Sequence, residues 1–236
     1  MKILVANWKM NGNKASLERL AIDFAAVSDG KGVQVVLCPS FPYLQAVNMV
    51  IAGSNIALGA QDCSEHSKGS YTGETSVHML KDIGCRYVII GHSERRCHSG
   101  EGDAVIARKF GIASLCGIIP ILCVGEGLEA RKQGEHLEAI KQQLAQIELQ
   151  RVDNMIIAYE PVWSIGTGMV PESSEVEEMT EFIGHLTLRK FPILYGGSVN
   201  GDNCNRLATC SGVAGFLVGN AALDGMEFKK IYAELI

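Results

Sequence analysis

The sequence predicts an α/β fold in which eight strand–helix units close into a (β/α)8 barrel, and three observations predict it. Eight short, almost purely apolar runs recur along the chain, amphipathic helical periods lie between them, and the residues that break the apolar pattern follow the runs directly. A strand that is apolar without alternation is buried on both faces, the condition of a parallel sheet covered by helices.

The runs, in order, are ILVA at 3 to 6, VQVVL at 33 to 37, IALG at 56 to 59, YVII at 87 to 90, an IILC-like run at 118 to 123, MIIAY at 155 to 159, ILY at 193 to 195 and GFLV at 215 to 218. Helical stripes lie between them. Leu17, Leu20, Ala21 and Phe24 make the first, Leu137, Ile140, Leu144 and Ile147 the fifth, and Val176, Met179, Ile183 and Leu186 the sixth. Each unit is about 30 residues, the length of a strand–helix–strand repeat. No linker or composition shift divides them, so one domain over 1–236 is expected.

Periodicity alone leaves an open doubly wound sheet as an alternative, and the polar residues choose. Asn7 and Lys9 follow the first run, His92 the fourth, Glu160 the sixth, Ser198 the seventh and Gly219 the eighth. An open sheet presents a ligand chiefly to the strands at its switch point, whereas a closed barrel gathers all carboxyl ends around one mouth. Taken singly, each residue has a bland reading: Lys9 as a solvated charge, His92 as a structural histidine, Glu160 as the partner of an arginine. Taken together, at the ends of their strands, they point to one site.

Composition narrows the function. With 47% hydrophobic residues in 236, the chain can fill a sizeable core, and a net charge of -5 with scattered Lys and Arg argues against a nucleic-acid partner. No apolar stretch is long enough to cross a membrane. Eight cysteines without a CxxC pattern, two of them (Cys38 and Cys123) inside apolar runs, fit a reducing cytoplasm, and no metal or cofactor is expected.

The glycine turns YGGSVN at 195 to 200 and LVGNAAL at 217 to 223 follow the seventh and eighth runs. Their backbone N–H groups, at the start of a helix, suit a phosphate; the plainer alternative is turn chemistry with Asn220 as a helix N-cap. No GxxxxGK[ST] motif offers a nucleotide loop. Last comes AYEPVWSIGTG at 158 to 168, which delivers a carboxylate at the end of an apolar run and then a loop containing Gly166 and Gly168.

Six segments, ANWKMNG (6 to 12), GAQDCSEHSKGSYTGETS (59 to 76), IIGHSERR (89 to 96), ILCVGE (121 to 126), AYEPVWSIGTG and YGGSVN, occur in the order in which the triosephosphate isomerase family carries them, and over essentially its whole length the chain resembles that family. The resemblance implies a TIM barrel that interconverts dihydroxyacetone phosphate and D-glyceraldehyde 3-phosphate without metal or cofactor. It makes Glu160 the general base, His92 the electrophile, Lys9 the cation facing developing charge and Asn7 a polar lining residue, with Ser93 and Glu94 in support. Gly166, Ser198, Gly219 and Asn220 would hold the phosphate. It also implies a homodimer formed through the 62–73 loop, with Thr72 reaching the partner's site.

On that basis the loop after Glu160 is expected to be a cover that dries the carboxylate only when substrate binds, Trp163 and Ile165 moving as a packed unit. Two departures stand out: Asn220 where the family typically has a second glycine, and Met169, Val170 and Pro171 at the far hinge, where the ring fixes φ and restrains Val170. An Amadori-type isomerase would use a cysteine–aspartate pair, which Asn7, Lys9 and Glu160 do not supply. A silent phosphate binder or scaffold has no need of base, electrophile and cation together.

Overall fold

The computed structural model describes residues 1–28 and 32–236. Eight parallel strands form a closed barrel in sequence order, each hydrogen-bonded to the next and the eighth to the first. The strands are β1 (Lys2–Asn7), β2 (Val33–Cys38), β3 (Ala57–Ala60), β4 (Tyr87–Ile90), β5 (Ile119–Val124), β6 (Ile156–Tyr159), β7 (Ile193–Tyr195) and β8 (Val213–Val218). The helices are α1 (Lys14–Val27), α2 (Leu44–Ile51), α3 (Val77–Ile83), α4 (Ser93–His98), α5 (Asp103–Leu115), α6 (Leu128–Lys132), α7 (His136–Ala145), α8 (Ser173–Leu186), α9 (Cys204–Ala208) and α10 (Gly225–Ala233). Every expected run is a strand. The eighth begins two residues earlier than its apolar signal, because Gly215 interrupts that signal without interrupting the ladder.

The two faces of the strands build two cores. Inside the barrel, Val5, Val36, Ile89, Ile121, Ala158 and Leu194 pack with their neighbours, and Cys38 and Cys123 lie there as small hydrophobes. Between barrel and helices the other face meets the stripes read from the sequence. The buried residues of α1 are Leu17, Leu20, Ala21 and Phe24, and Phe24 stacks on Phe228 of α10 at 3.6 Å. The start of α1 is fixed by a capping box, in which Asn13 and Ser16 exchange side-chain and backbone hydrogen bonds at 3.1 and 2.9 Å. Such a cap stabilises by about 1 kcal/mol. Of the later stripes, Ile140 and Leu144 are buried in α7, and Val176, Met179 and Ile183 in α8.

One feature of the fold has no signature in the sequence. Lys109 of α5, only 4% exposed, places its Nζ 2.8 Å from both oxygens of Asp62 and 2.6 Å from Glu101 Oε1. Arg95 of α4 joins the same carboxylates at 3.0 and 2.6 Å. Two cations and two acids thus tie the loop after β3 to α4 and α5, which fixes α4 beside the mouth. Among the described residues no helix is long and apolar enough to cross a membrane.

Candidate active site

The mouth at the carboxyl ends of the strands opens into a cavity of about 530 Å³ lined by Asn7, Lys9, His92, Gly166, Ser198 and Asn220, among others. Residues from the first, fourth, sixth, seventh and eighth units therefore meet, as closure of the barrel requires.

Lys9 sits just past β1 with φ of 49°, a left-handed backbone that a lysine rarely adopts. Strain of this kind costs of order 1 kcal/mol or more and persists only where the surroundings impose it. Here they do. Asn7 Oδ1 accepts the Lys9 N–H at 3.1 Å, and the Lys9 carbonyl accepts from Ser40 Oγ at 2.6 Å and Gln61 Nε2 at 2.9 Å. The ammonium then reaches Glu94 Oε1 at 2.5 Å. Burial works to raise the Glu94 carboxyl, but the hydrogen bond and charge of Lys9 outweigh it and hold the group below the usual range. At Gly219, a Cβ would stand 3.1 Å from Lys9 Cε, so a glycine there lets the lysine lie across the end of β8.

His92 is the N-cap of α4, and its Nδ1 accepts the Glu94 backbone N–H at 3.2 Å. An accepting Nδ1 carries a lone pair, which assigns the ring proton to Nε2. That nitrogen lies 3.1 Å from Glu160 Oε1. The other Glu160 oxygen accepts the Ser93 N–H at 2.9 Å. Although Oε1 is close to Nε2, it completes no hydrogen bond, so the distance records proximity and not a well-aligned bond.

Glu160 is 1% exposed, covered by protein atoms alone. The expectation of a carboxylate wetted until a cover closes is thereby corrected. Peptide geometry explains the burial: the Glu160 N–H donates to Val124 O at 2.8 Å, and Gly125 lies so close that a Cβ would fall 1.7 Å from the Glu160 carbonyl oxygen. Only glycine at 125 permits this approach, and it draws Glu160 down between β5 and β7.

The segment after Glu160 is a short 3-10 turn, Val162–Ser164, and its root is tied to the barrel. Trp163 Nε1 donates to Glu126 Oε1 at 2.9 Å, and Tyr159 OH donates to the same oxygen at 3.1 Å. Glu126 is itself 1% exposed; burial pushes its carboxyl up, opposed by the Trp163 and Tyr159 bonds. Sequence reasoning gave Glu126 no role. Its signal was close to the one used for Glu160, an acid just past an apolar run, here separated from its strand by Gly125.

The candidate phosphate residues are only partly as expected. Gly166 and Asn220 line the cavity. Ser198 Oγ donates to the Ser164 carbonyl at 2.7 Å, and its N–H reaches Ser164 Oγ at 3.3 Å, which ties the β7 turn to the root of the cover. No helix begins at the β7 turn: α9 starts only at Cys204, after a turn capped by Asn200. Asn220 is not a helix N-cap either; it is the first residue of a 3-10 turn, and Asp224 caps α10 through its side chain. Thr72 is exposed, away from this cavity's lining.

The family model described as triosephosphate isomerase matches residues 2–235. The chain is similar to the triosephosphate isomerase of Colwellia psychrerythraea, with 40% identity over 97% of this chain and 95% of the relative. It is 42% identical to that of Nitrosococcus oceani over 97% and 96%, and 42% identical to that of Shewanella sp. strain ANA-3 over 97% and 95%. With the closed eight-stranded barrel, the gathered mouth and a match of this extent, the chain belongs to the triosephosphate isomerase family.

Proposed function

We infer that the chain interconverts dihydroxyacetone phosphate and D-glyceraldehyde 3-phosphate, a step of glycolysis and gluconeogenesis, by moving a proton between adjacent carbons through an enediolate. The observation that carries this reading is that Lys9 and His92 line one cavity while Glu160 Oε1 lies directly behind it, 3.1 Å from His92 Nε2.

Glu160 takes the proton from the carbon next to the carbonyl. The Ser93 N–H orients the carboxylate through one oxygen and leaves the other without a hydrogen bond, so that this oxygen can take the proton from the C–H bond. As that bond breaks, charge moves to the carbonyl oxygen. The His92 Nε2–H donates there, its tautomer fixed by the Glu94 N–H, and the Lys9 ammonium opposes the developing negative charge. Returning the proton from Glu160 to the neighbouring carbon gives the isomer, and His92 moves protons between the two oxygens.

The phosphate fits the backbone groups of Gly166, Ser198, Gly219 and Asn220 around the cavity. Its binding there, remote from the reacting carbons, would supply energy for closing the 3-10 segment over the enediolate. The Asn220 side chain narrows this subsite relative to a glycine. The chain is read as one domain, acting as a cytoplasmic homodimer in which the 62–73 loop and Thr72 meet a second copy. Tyr71 at 45% and Met10 at 95% exposure are apolar groups that such a contact would cover.

The test is turnover of D-glyceraldehyde 3-phosphate in a coupled assay with purified chain. Formation of dihydroxyacetone phosphate that is abolished in Glu160→Ala supports the reading, and turnover no greater than in buffer overturns it.

A further inference from the structure

Both hydrogen-bond donors of Ser198 are held by one residue. Its backbone N–H donates to Ser164 Oγ at 3.3 Å, and its hydroxyl donates to the Ser164 carbonyl at 2.7 Å. Ser164 is the last residue of the 3-10 turn after Glu160 and is 0% exposed. A further group from β7 completes the contact, since Tyr195 OH lies 3.4 Å from Ser164 Oγ. Glycine at 197 admits the two hydroxyls: a Cβ there would stand 2.2 Å from Tyr195 OH and 2.7 Å from Ser164 Oγ.

Ser198 also lines the cavity and belongs to the groups assigned above to the phosphate. One N–H cannot serve a hydroxyl and a phosphate oxygen at full strength. Nor is the turn free to swing away, because Asn203 Nδ2 donates to the Ser198 carbonyl at 3.0 Å. The existing bond is the weaker of the two. It is longer than the usual span of about 2.7–3.2 Å and its acceptor is neutral, whereas a bond to an ionised oxygen is shorter and roughly twice as strong. Phosphate therefore takes the N–H, and the released Ser164 Oγ keeps Tyr195 OH as a partner, so that no buried hydroxyl is left alone. What phosphate gains is reduced by the bond it displaces.

We propose that Ser164 sets the affinity of the site for phosphate by competing for the Ser198 N–H. It is a positioning residue, acting on substrate through Ser198 and touching no reacting atom. The proposal rests on the reading of the preceding subsection, in which the Ser198 turn receives the phosphate.

Ser164→Ala removes Oγ and keeps the carbonyl that holds the Ser198 hydroxyl. The probe is inorganic phosphate, titrated into the isotope-labelled full chain and followed by NMR at the Ser198 amide, in wild type and variant. The variant should bind phosphate about fivefold more tightly, the worth of one neutral hydrogen bond, and its KM for D-glyceraldehyde 3-phosphate should fall in step. A merely structural role for Ser164 would move neither quantity downward. Phosphate binding that is equal or weaker in the variant overturns the proposal and leaves the functional reading standing. No phosphate-dependent shift at Ser198 in either protein overturns the phosphate seat and the proposal together, while wild-type turnover tests the activity separately.

Discussion

Two groups of buried acids lie on either side of α4, and they are treated in opposite ways. Asp62 and Glu101 face two cations, Lys109 and Arg95, and only Glu101 Oε2 lacks a partner. Glu160 has one backbone N–H and a poorly aligned imidazole. A buried charge that is paired holds elements together, whereas Glu160 keeps one oxygen outside any hydrogen bond. The first arrangement supports α4; the second uses α4, through the Ser93 N–H, to aim a base.

This contrast is broken most directly in the paired group. Lys109→Met leaves Asp62 and Glu101 buried with Arg95 alone, and is expected to cost about 3–5 kcal/mol of stability. Denaturant unfolding measures it; a loss below about 1 kcal/mol would show that the pairing does not hold the elements.

Glu160→Asp acts on the other side. Retracting the carboxylate by one methylene should lower kcat by about 100-fold with a modest change in KM, because misplacement of about 1 Å costs that much. Its unfolding midpoint should stay near wild type. An undiminished kcat would remove Glu160 from its role as base.

Glu126 sharpens the comparison, since it is buried but works through neutral donors. Burial raises its carboxyl above the ordinary value, so the ionised form is less favourable in the folded protein than in the unfolded chain. The sign follows: this group's stabilising contribution is full at low pH and is lost as pH rises from about 4.3 through the raised folded value. Glu126→Gln keeps an acceptor for Trp163 and Tyr159 without the charge. It should stabilise by about 1 kcal/mol near pH 7, with the gain vanishing toward pH 4, as thermal unfolding across pH would show. A gain that grew on acidification would reverse the assignment.

The smallest effect concerns the cover. Pro171 fixes the far hinge, and its carbonyl accepts from Arg206 Nη1 at 3.1 Å. Pro171→Ala should speed opening roughly two- to fivefold, read by NMR exchange at the Trp163 indole. Identical rates in the two proteins would dispose of the hinge as a restraint.

Much of the fold was legible because burial on two faces leaves an unmistakable apolar run, and a one-sided helix leaves a stripe. Asn7, Lys9, His92 and Glu160 were legible because each breaks the pattern where its run ends. What each touches was not. Lys9 meets Glu94 85 positions away, Glu160 meets Ser93 across 67 and Lys109 meets Asp62 across 47. Glu126 carried nearly the same signal as Glu160 and passed unassigned, since an acid after a strand does not say whether it will face substrate or an indole.

The amino-acid sequence by itself determined eight buried strands, the helices that cover them and the types of side chain at the mouth, since local periodicity and burial are written residue by residue. Closure of the barrel set which acids Lys9 and Lys109 meet, that His92 Nδ1 accepts the Glu94 N–H, and that Glu160 is 1% exposed. The physical reason is that hydrogen bonding and desolvation depend on distances between distant segments, and those distances exist only once the barrel has closed.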